Sequence, residues 1–98
     1  MNNLVYEPIS KIPDDLMETV ELMNSDDYKR RFAAEYAQLK IRLKKLNDML
    51  DRLDSGDIRF IPTSPVDLLR VQAKAMKTYL GILDARAIIE DVFVDLDA

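Results

Sequence analysis

Apolar residues recur at alternating steps of four and three across residues 26–53. They are Phe32, Tyr36, Leu39, Leu43, Leu46, Leu50 and Leu53. This heptad seam is typical of a helix that packs lengthwise against another helix. We therefore predict one long helix from Asp26 to Leu53, with Ser25 or Asn24 as its N-cap and Gly56 as its left-handed C-cap residue.

A second seam with the same spacing follows the connector. It consists of Leu69, Ala73, Met76, Leu80, Leu83 and Ala87. Ser64 as N-cap and Pro65 as first helical residue predict the start of this helix, which runs to about Asp91. Two helices of matching period joined by a short, proline-containing connector predict a coiled-coil-like, antiparallel two-helix hairpin. Phe60, within the connector, is predicted to plug the end of that hairpin.

The first 24 residues follow a different pattern. Pro8 and Pro13 interrupt any early helix, which predicts an arm that is either loose or docked on an apolar groove. A short amphipathic helix is predicted from Asp14 to Met23. The expected fold is thus all-α and a single domain, with an N-terminal arm and short helix over residues 1–24 and the helical hairpin over residues 25–98.

The second long helix carries another apolar stripe beside its seam. The stripe consists of Val71, Ala75, Tyr79, Ile82, Ile89 and Phe93. One partner helix cannot cover both stripes, so the second one is expected to bind the N-terminal helix, another subunit, or both. Because exposed apolar patches of this size usually mark an interface, we expect a homo-oligomer.

The composition excludes most catalytic and metal chemistry. There are no histidines and no cysteines, which removes the commonest general base, thiolate metal ligands and disulfides. Only two glycines are present, so no glycine-rich phosphate loop is possible. We therefore expect no enzyme activity, no metal and no cofactor. No leader peptide or membrane span is apparent, which predicts a cytoplasmic protein.

The net charge of −4 is unevenly distributed along the chain. Residues 1–27 carry −6, residues 28–83 carry +6 and residues 84–98 carry −4. One interpretation is that the acidic ends fold back on the basic middle; the other is an anion site on the middle segment. The acidic ends argue against extended duplex nucleic acid and favour a small, compact anionic ligand.

Cations and tyrosines on the two long helices are the candidates for such a site. The cations are Lys29, Arg30, Arg31, Lys40, Arg42, Lys44, Lys45, Arg70, Lys74 and Lys77, and the tyrosines are Tyr28, Tyr36 and Tyr79. The cations form either solvated basic faces or a phosphate site where two faces meet across a subunit boundary. The tyrosines could stack on bases, although the seam position of Tyr36 favours core packing.

Parts of both helices resemble a family of small helical-hairpin phage proteins. The likeness is carried by Tyr28-Lys29-Arg30-Arg31-Phe32, Glu35, Leu39, Arg42, Lys45-Leu46 and Met49-Leu50, and then by Phe60, Leu68-Leu69, Gln72, Ala75-Met76, Tyr79, Leu83 and Arg86. The family includes the phage anti-CBASS and anti-Thoeris nucleotide sponges. These proteins sequester cyclic oligonucleotide or cyclic ADP-ribose-type signals of bacterial defence systems without cutting them, in pockets between the protomers of a homo-oligomer.

The resemblance implies a non-catalytic anti-defence protein that binds a cyclic nucleotide. It makes candidate phosphate or base contacts of Arg42, Lys45, Arg70 and Arg86, and a candidate stacking group of Tyr79 or Tyr28. Residues 1–24 lie outside it. The alternative hypothesis is an oligomeric protein–protein interaction module, or an inhibitor, that acts through the acidic arm and the second apolar stripe.

Overall fold

The computed structural model describes residues 7–57 and 61–94, and the predicted all-α class is confirmed there. After a single 3₁₀ turn, Met17–Thr19, come the helices α1 (Val20–Met23), α2 (Tyr28–Ser55) and α3 (Val66–Ile89). This part of the chain contains no β-strand, only one isolated bridge between Ile9 and Phe93. Phe60 and its predicted role as a plug lie outside the described residues.

Helix α2 begins two residues later than predicted. Asp27 is the N-cap: its backbone is extended, and its carboxylate accepts a hydrogen bond from the backbone N–H of Lys29 at 2.8 Å. The prediction of Ser25 or Asn24 was wrong, because the Ser25 hydroxyl instead accepts the N–H of Asp27 at 3.0 Å and shapes the preceding turn. At the other end, Gly56 is in the left-handed conformation with φ of 76°, as predicted.

Helix α3 starts and ends inside its predicted limits. The prediction of Ser64 as N-cap was wrong by one residue: Pro65 is the N-cap, because its ψ of 142° is extended and helical geometry begins at Val66. Its carbonyl accepts the first helical bonds, from the N–H groups of Leu68 and Leu69. The helix ends at Ile89, and Asp91 turns the chain away with a φ of +55°.

The predicted helix Asp14–Met23 is also shorter in the structure. Two carboxylates capture backbone donors ahead of it: Glu18 accepts the N–H of Asp14 at 2.9 Å, and Asp15 accepts the N–H of Glu18 at 3.0 Å. A carboxylate that accepts the N–H three residues later is typical of a helix N-terminus, so helical geometry begins only after Asp15. Only the 3₁₀ turn and the four-residue α1 remain helical.

The two heptad seams form the core between α2 and α3. One cluster joins the start of α2 to the end of α3, through Phe32, Ala33, Tyr36, Leu39, Leu83, Ala87, Val92 and Phe93. The other joins the far half of α2 to the first half of α3, through Leu43, Leu50 and Ala73 with half-buried neighbours on both helices. The steps of four and three therefore identified the buried faces of both helices.

The arm is docked on the chain's own core. The Ile9 N–H donates to the Val92 carbonyl at 2.7 Å, and the Val94 N–H donates to the Ile9 carbonyl at 3.0 Å. Ile9, Ile12 and Leu22 pack against the first cluster. Phe93, predicted to belong to the second apolar stripe, is instead buried here, with its ring 5.1 Å from that of Tyr36.

The rest of the second stripe is exposed on α3. Exposed fractions are 63% for Val71, 55% for Ile82 and 81% for Ile89, and Leu68 and Ile88 are similarly open. The N-terminal helix does not cover these side chains. Among the described helices, none is long and apolar enough to cross a bilayer.

Candidate functional site

A groove of about 320 Å³ lies where one side of α2 meets α3 and the end of α1. Its walls consist of Met23, Arg31, Glu35, Gln38, Leu39, Arg42 and Tyr79. The four polar residues of α2 each precede a seam residue by one position, and Tyr79 precedes Leu80 in the same way on α3. A shift of one residue rotates a side chain by about 100° around a helix. The groove is therefore lined by the row of residues directly beside the core.

Glu35 and Tyr79 meet in the groove. The Tyr79 hydroxyl donates a hydrogen bond to the Glu35 carboxylate and thereby links α3 to α2. That hydrogen bond, with smaller contributions from burial and from the carboxylate's charge, raises the pKa of Tyr79. At neutral pH the groove thus holds a neutral phenol and an exposed carboxylate.

The arginines around Glu35 differ in whether their guanidinium groups already have hydrogen-bond or ion-pair partners. Arg31 donates to the Ser25 carbonyl at 2.8 Å. Arg86, beside the groove, pairs with Glu90 at 2.8 Å and lies 5.0 Å above the Phe32 ring. Its hydrogen bond with Glu90 raises the pKa of Arg86, with smaller contributions from the charges of Glu90 and Glu35. Arg42 makes no hydrogen bond or ion pair with any residue that the structure describes, so its guanidinium is available to a ligand.

The N-terminal segment supplies one wall of the groove and positions Gln38. The Gln38 amide donates to the buried Thr19 hydroxyl at 2.8 Å and approaches the Met23 sulfur at 3.5 Å. Thr19 in turn donates to the Leu16 carbonyl at 2.7 Å. Residues before the long helices therefore determine which way an amide in the groove points.

The structure brings together only part of the predicted site. Arg42 and Tyr79 share the groove, and Arg86 and Tyr28 lie near one another at the ends of α3 and α2. Lys45 lines a separate depression with Asp14 and Asp15. Arg70 forms an ion pair with Asp54 towards the end of α2.

The other cations predicted to form a basic face on α2 also lie outside the groove and have neighbours of their own. Lys40 lies 5.9 Å from the centre of the Tyr36 ring, and Lys44 pairs with Asp48 at 2.8 Å. Both lysines border a depression whose other wall is Ile12, Pro13 and Asp14. Asp14 of the arm thus lies beside two lysines of the basic middle segment.

Two polar residues of the groove, Glu35 and Gln38, were not among the candidate site residues from the sequence, whereas Arg31 was one of the candidate cations. A usable signal existed, because Arg31, Glu35, Gln38 and Arg42 follow one another at steps of four, three and four. Such a polar row, parallel to an apolar seam, marks a helix flank that stays accessible after packing.

The groups of the groove are suited to binding a ligand that carries both phosphate and N–H donors. The groove combines a free guanidinium, an amide, a carboxylate and an aromatic ring, which together can hold a phosphate, accept N–H donors and stack on a base. In the described part of the chain, no group of three or more acidic residues is placed to hold a metal ion.

Comparison with known protein families places most of the two long helices in a family. A protein-family model described as Sequestin matches residues 26–89, about two thirds of the chain, and this span contains α2, α3 and all of the groove except Met23. No curated protein and no solved structure matches the chain. The arm, α1 and the last nine residues lie outside the matched span.

Proposed function

Since the chain belongs to the Sequestin family, the phage anti-CBASS and anti-Thoeris cyclic-nucleotide sponges, we propose that it binds and sequesters a cyclic oligonucleotide or related nucleotide signal without cleaving it. The observation that carries this proposal is the groove in which the unengaged Arg42 lies on the same wall as the Glu35–Tyr79 pair. We expect the protein to act in the cytoplasm of an infected host.

Each group in the groove has a role in this proposal. Arg42 binds a phosphate through two parallel N–H bonds, which its planar guanidinium favours. The Tyr79 ring, 42% exposed, stacks on a base. Gln38 and Glu35 hydrogen-bond the ligand's polar edges. Of the other predicted contacts, Arg86 and Tyr28 extend the binding surface beyond the groove, whereas Lys45 and Arg70 contribute only if a second copy brings them near.

Assembly is the second part of the proposal. We propose that α2 and α3 form an antiparallel hairpin, with residues 1–24 as a docked arm and residues 25–98 as the hairpin of one domain. The exposed apolar face of α3, with Val71, Ile82 and Ile89, binds further copies. A volume of about 320 Å³ is at the lower end for a small-molecule site, so a second protomer would supply the missing wall.

Isothermal titration calorimetry with a panel of cyclic di- and trinucleotides tests the binding. We expect saturable binding of at least one panel member, and at least tenfold weaker binding by Arg42→Ala, since a hydrogen bond to a charged group contributes roughly 1.5–3 kcal/mol. Lys74→Ala is the matched control, because Lys74 is an exposed cation outside the groove and should leave the affinity unchanged. A wild-type protein that binds no panel member at ligand concentrations far above micromolar would refute the proposal.

The alternative, a protein-interaction module, draws on the same exposed α3 face. The apolar residues of the arm are already packed against the chain's own core, so the arm is a poorer candidate surface than α3. Light scattering separates the two possibilities. A homo-oligomer that dissociates in Ile82→Glu favours assembly of copies through this face, and a stable wild-type monomer favours a foreign partner.

A further inference from the structure

We infer that Glu35 makes the groove selective for guanine: its carboxylate accepts two N–H groups from the base while Arg42 binds a phosphate of the same ligand. The inference rests on the proposed function, and it adds a base preference and the residue that determines it. The starting point is a carboxylate in a groove that is otherwise suited to an anion.

Glu35 lowers the affinity of the groove for any ligand that presents only negative charge. Its carboxylate accepts one hydrogen bond, from Tyr79. A carboxylate offers about four lone-pair positions, so most of its acceptor capacity remains open. A ligand that covers this carboxylate without donating to it leaves a desolvated charge unpaired, which costs affinity. The favoured ligand therefore carries N–H donors as well as phosphate.

The spacing on α2 fits a ligand that places a base and a phosphate in one line. Glu35 and Arg42 are seven residues apart on the same row, which corresponds to about 10 Å along the helix axis. Gln38 lies between them, and Tyr79 faces Glu35 from α3. A nucleotide that lies along α2 thus presents its base edge to Glu35 and its phosphate to Arg42, with the Tyr79 ring beside the base.

Among the common bases, guanine matches a carboxylate best. Its Watson–Crick edge presents two adjacent donors, N1–H and the N2 amino group, which pair with the two carboxylate oxygens. Adenine presents one amino group beside an acceptor nitrogen, and that nitrogen repels the second oxygen. The hydrogen bond from Tyr79 holds the carboxylate in place before the ligand arrives, which lowers the entropy cost of this pairing.

The test is a calorimetric comparison of cyclic di-GMP, cyclic di-AMP and cyclic di-IMP, whose hypoxanthine base lacks the N2 amino group. We expect wild type to prefer cyclic di-GMP over cyclic di-AMP by at least tenfold, with cyclic di-IMP between them. Glu35→Gln should abolish or reverse the preference, because a glutamine amide pairs with adenine. Glu35 is exposed, so this variant should keep the wild-type circular dichroism spectrum. Asp51→Asn, which removes an exposed negative charge elsewhere on α2, serves as the matched control.

Tyr79→Phe provides an independent variant. Without the tyrosine hydroxyl the carboxylate is no longer held, so the preference for cyclic di-GMP should fall several-fold while some of it remains. Equal binding of all three probes by wild type, or an equal loss for all probes in Glu35→Gln, overturns the guanine inference and leaves the sponge proposal standing. If wild type binds none of these probes and no other member of the panel, both fail together.

Discussion

The hydroxyl of Tyr36 provides a sharp test of how α2 and α3 are held together. It donates to the Asp84 carboxylate at 2.6 Å and so joins the first third of α2 to the last third of α3. Tyr36 is only 5% exposed. Tyr36→Phe removes this one hydrogen bond and leaves the ring in the core.

The expected cost follows from the charge and burial of the partner. A hydrogen bond to a charged group contributes roughly 1.5–3 kcal/mol. Asp84 is half-buried, so in the variant its carboxylate recovers part of its hydration. We therefore expect Tyr36→Phe to lower the free energy of unfolding by about 1.5 kcal/mol at pH 7.

The same hydrogen bond makes the difference in unfolding free energy between wild type and Tyr36→Phe depend on pH. Burial, together with the hydrogen bond and charge of Asp84, raises the pKa of Tyr36 from 10.0 to about 12. The folded state therefore keeps the phenol proton where the unfolded state loses it, so its stabilising effect is complete below pH 10 and declines as the pH rises towards 12. At pH 11 the advantage of wild type over Tyr36→Phe should have fallen by about 1 kcal/mol.

Urea unfolding followed by circular dichroism measures both effects, at one fixed protein concentration because assembly shifts apparent stability. Tyr79→Phe is the matched comparison, since its hydrogen bond to Glu35 is exposed and should contribute less than about 1 kcal/mol. A difference below about 0.3 kcal/mol between wild type and Tyr36→Phe at pH 7 would refute the reasoning. So would a difference that stays constant from pH 9 to pH 11.

Three further predictions concern the fold, and urea unfolding measures all of them. Leu83→Ala should cost about 3 kcal/mol because Leu83 is 1% exposed in the first core cluster; a loss no larger than that of the 93% exposed Ile61→Ala would contradict its place in the core. Replacing the two glycines should change the free energy of unfolding in opposite directions. Gly56→Ala should destabilise by about 1 kcal/mol because the φ of Gly56 is positive. Gly81→Ala should stabilise by up to about 1 kcal/mol because a Cβ there meets open space. Destabilisation by both would argue that Gly81 lies at a close contact between copies. Asp27→Ala should cost about 1 kcal/mol by removing the N-cap of α2, and no loss would return that role to Ser25.

The periodic parts of the fold were readable from the sequence. Seven side chains at steps of four and three are enough to specify a buried stripe, because the helix fixes where each of them points. Tyr36 and Leu83 were placed correctly for that reason. The same spacing, traced through the residues one position before each seam residue, would have identified the polar row of Arg31, Glu35, Gln38 and Arg42.

The residues at which the helices begin and end could not be predicted from the sequence, for a different physical reason. Asn24, Ser25, Asp26 and Asp27 can all cap a helix, so composition alone does not decide which of them does. The choice depends on backbone angles, which are extended at Asp27. Likewise, nothing local to Ile9 and Phe93 indicates that they pair, because their bridge joins positions 84 residues apart.

The candidate site was only partly predicted because the charge of a residue does not show whether its side chain already has a partner in the folded protein. Arg42 and Arg70 look alike in the sequence, yet Arg70 pairs with Asp54 and Arg42 is open to a ligand. The partner of each cation is set by packing between elements that are distant along the chain. Structure was therefore needed to separate cations that stabilise the fold from those that can bind a phosphate.

Recovery of an intact nucleotide is the most direct test of sequestration. The protein is mixed with each cyclic di- and trinucleotide at a smaller molar amount, the solution is ultrafiltered, and the retained fraction is heat-denatured and analysed by chromatography. We expect at least one nucleotide to be depleted from the filtrate and then released intact on denaturation, with less depletion by Arg42→Ala. A filtrate concentration equal to that of a protein-free control for every nucleotide, or recovery of linear cleavage products, would contradict the proposal.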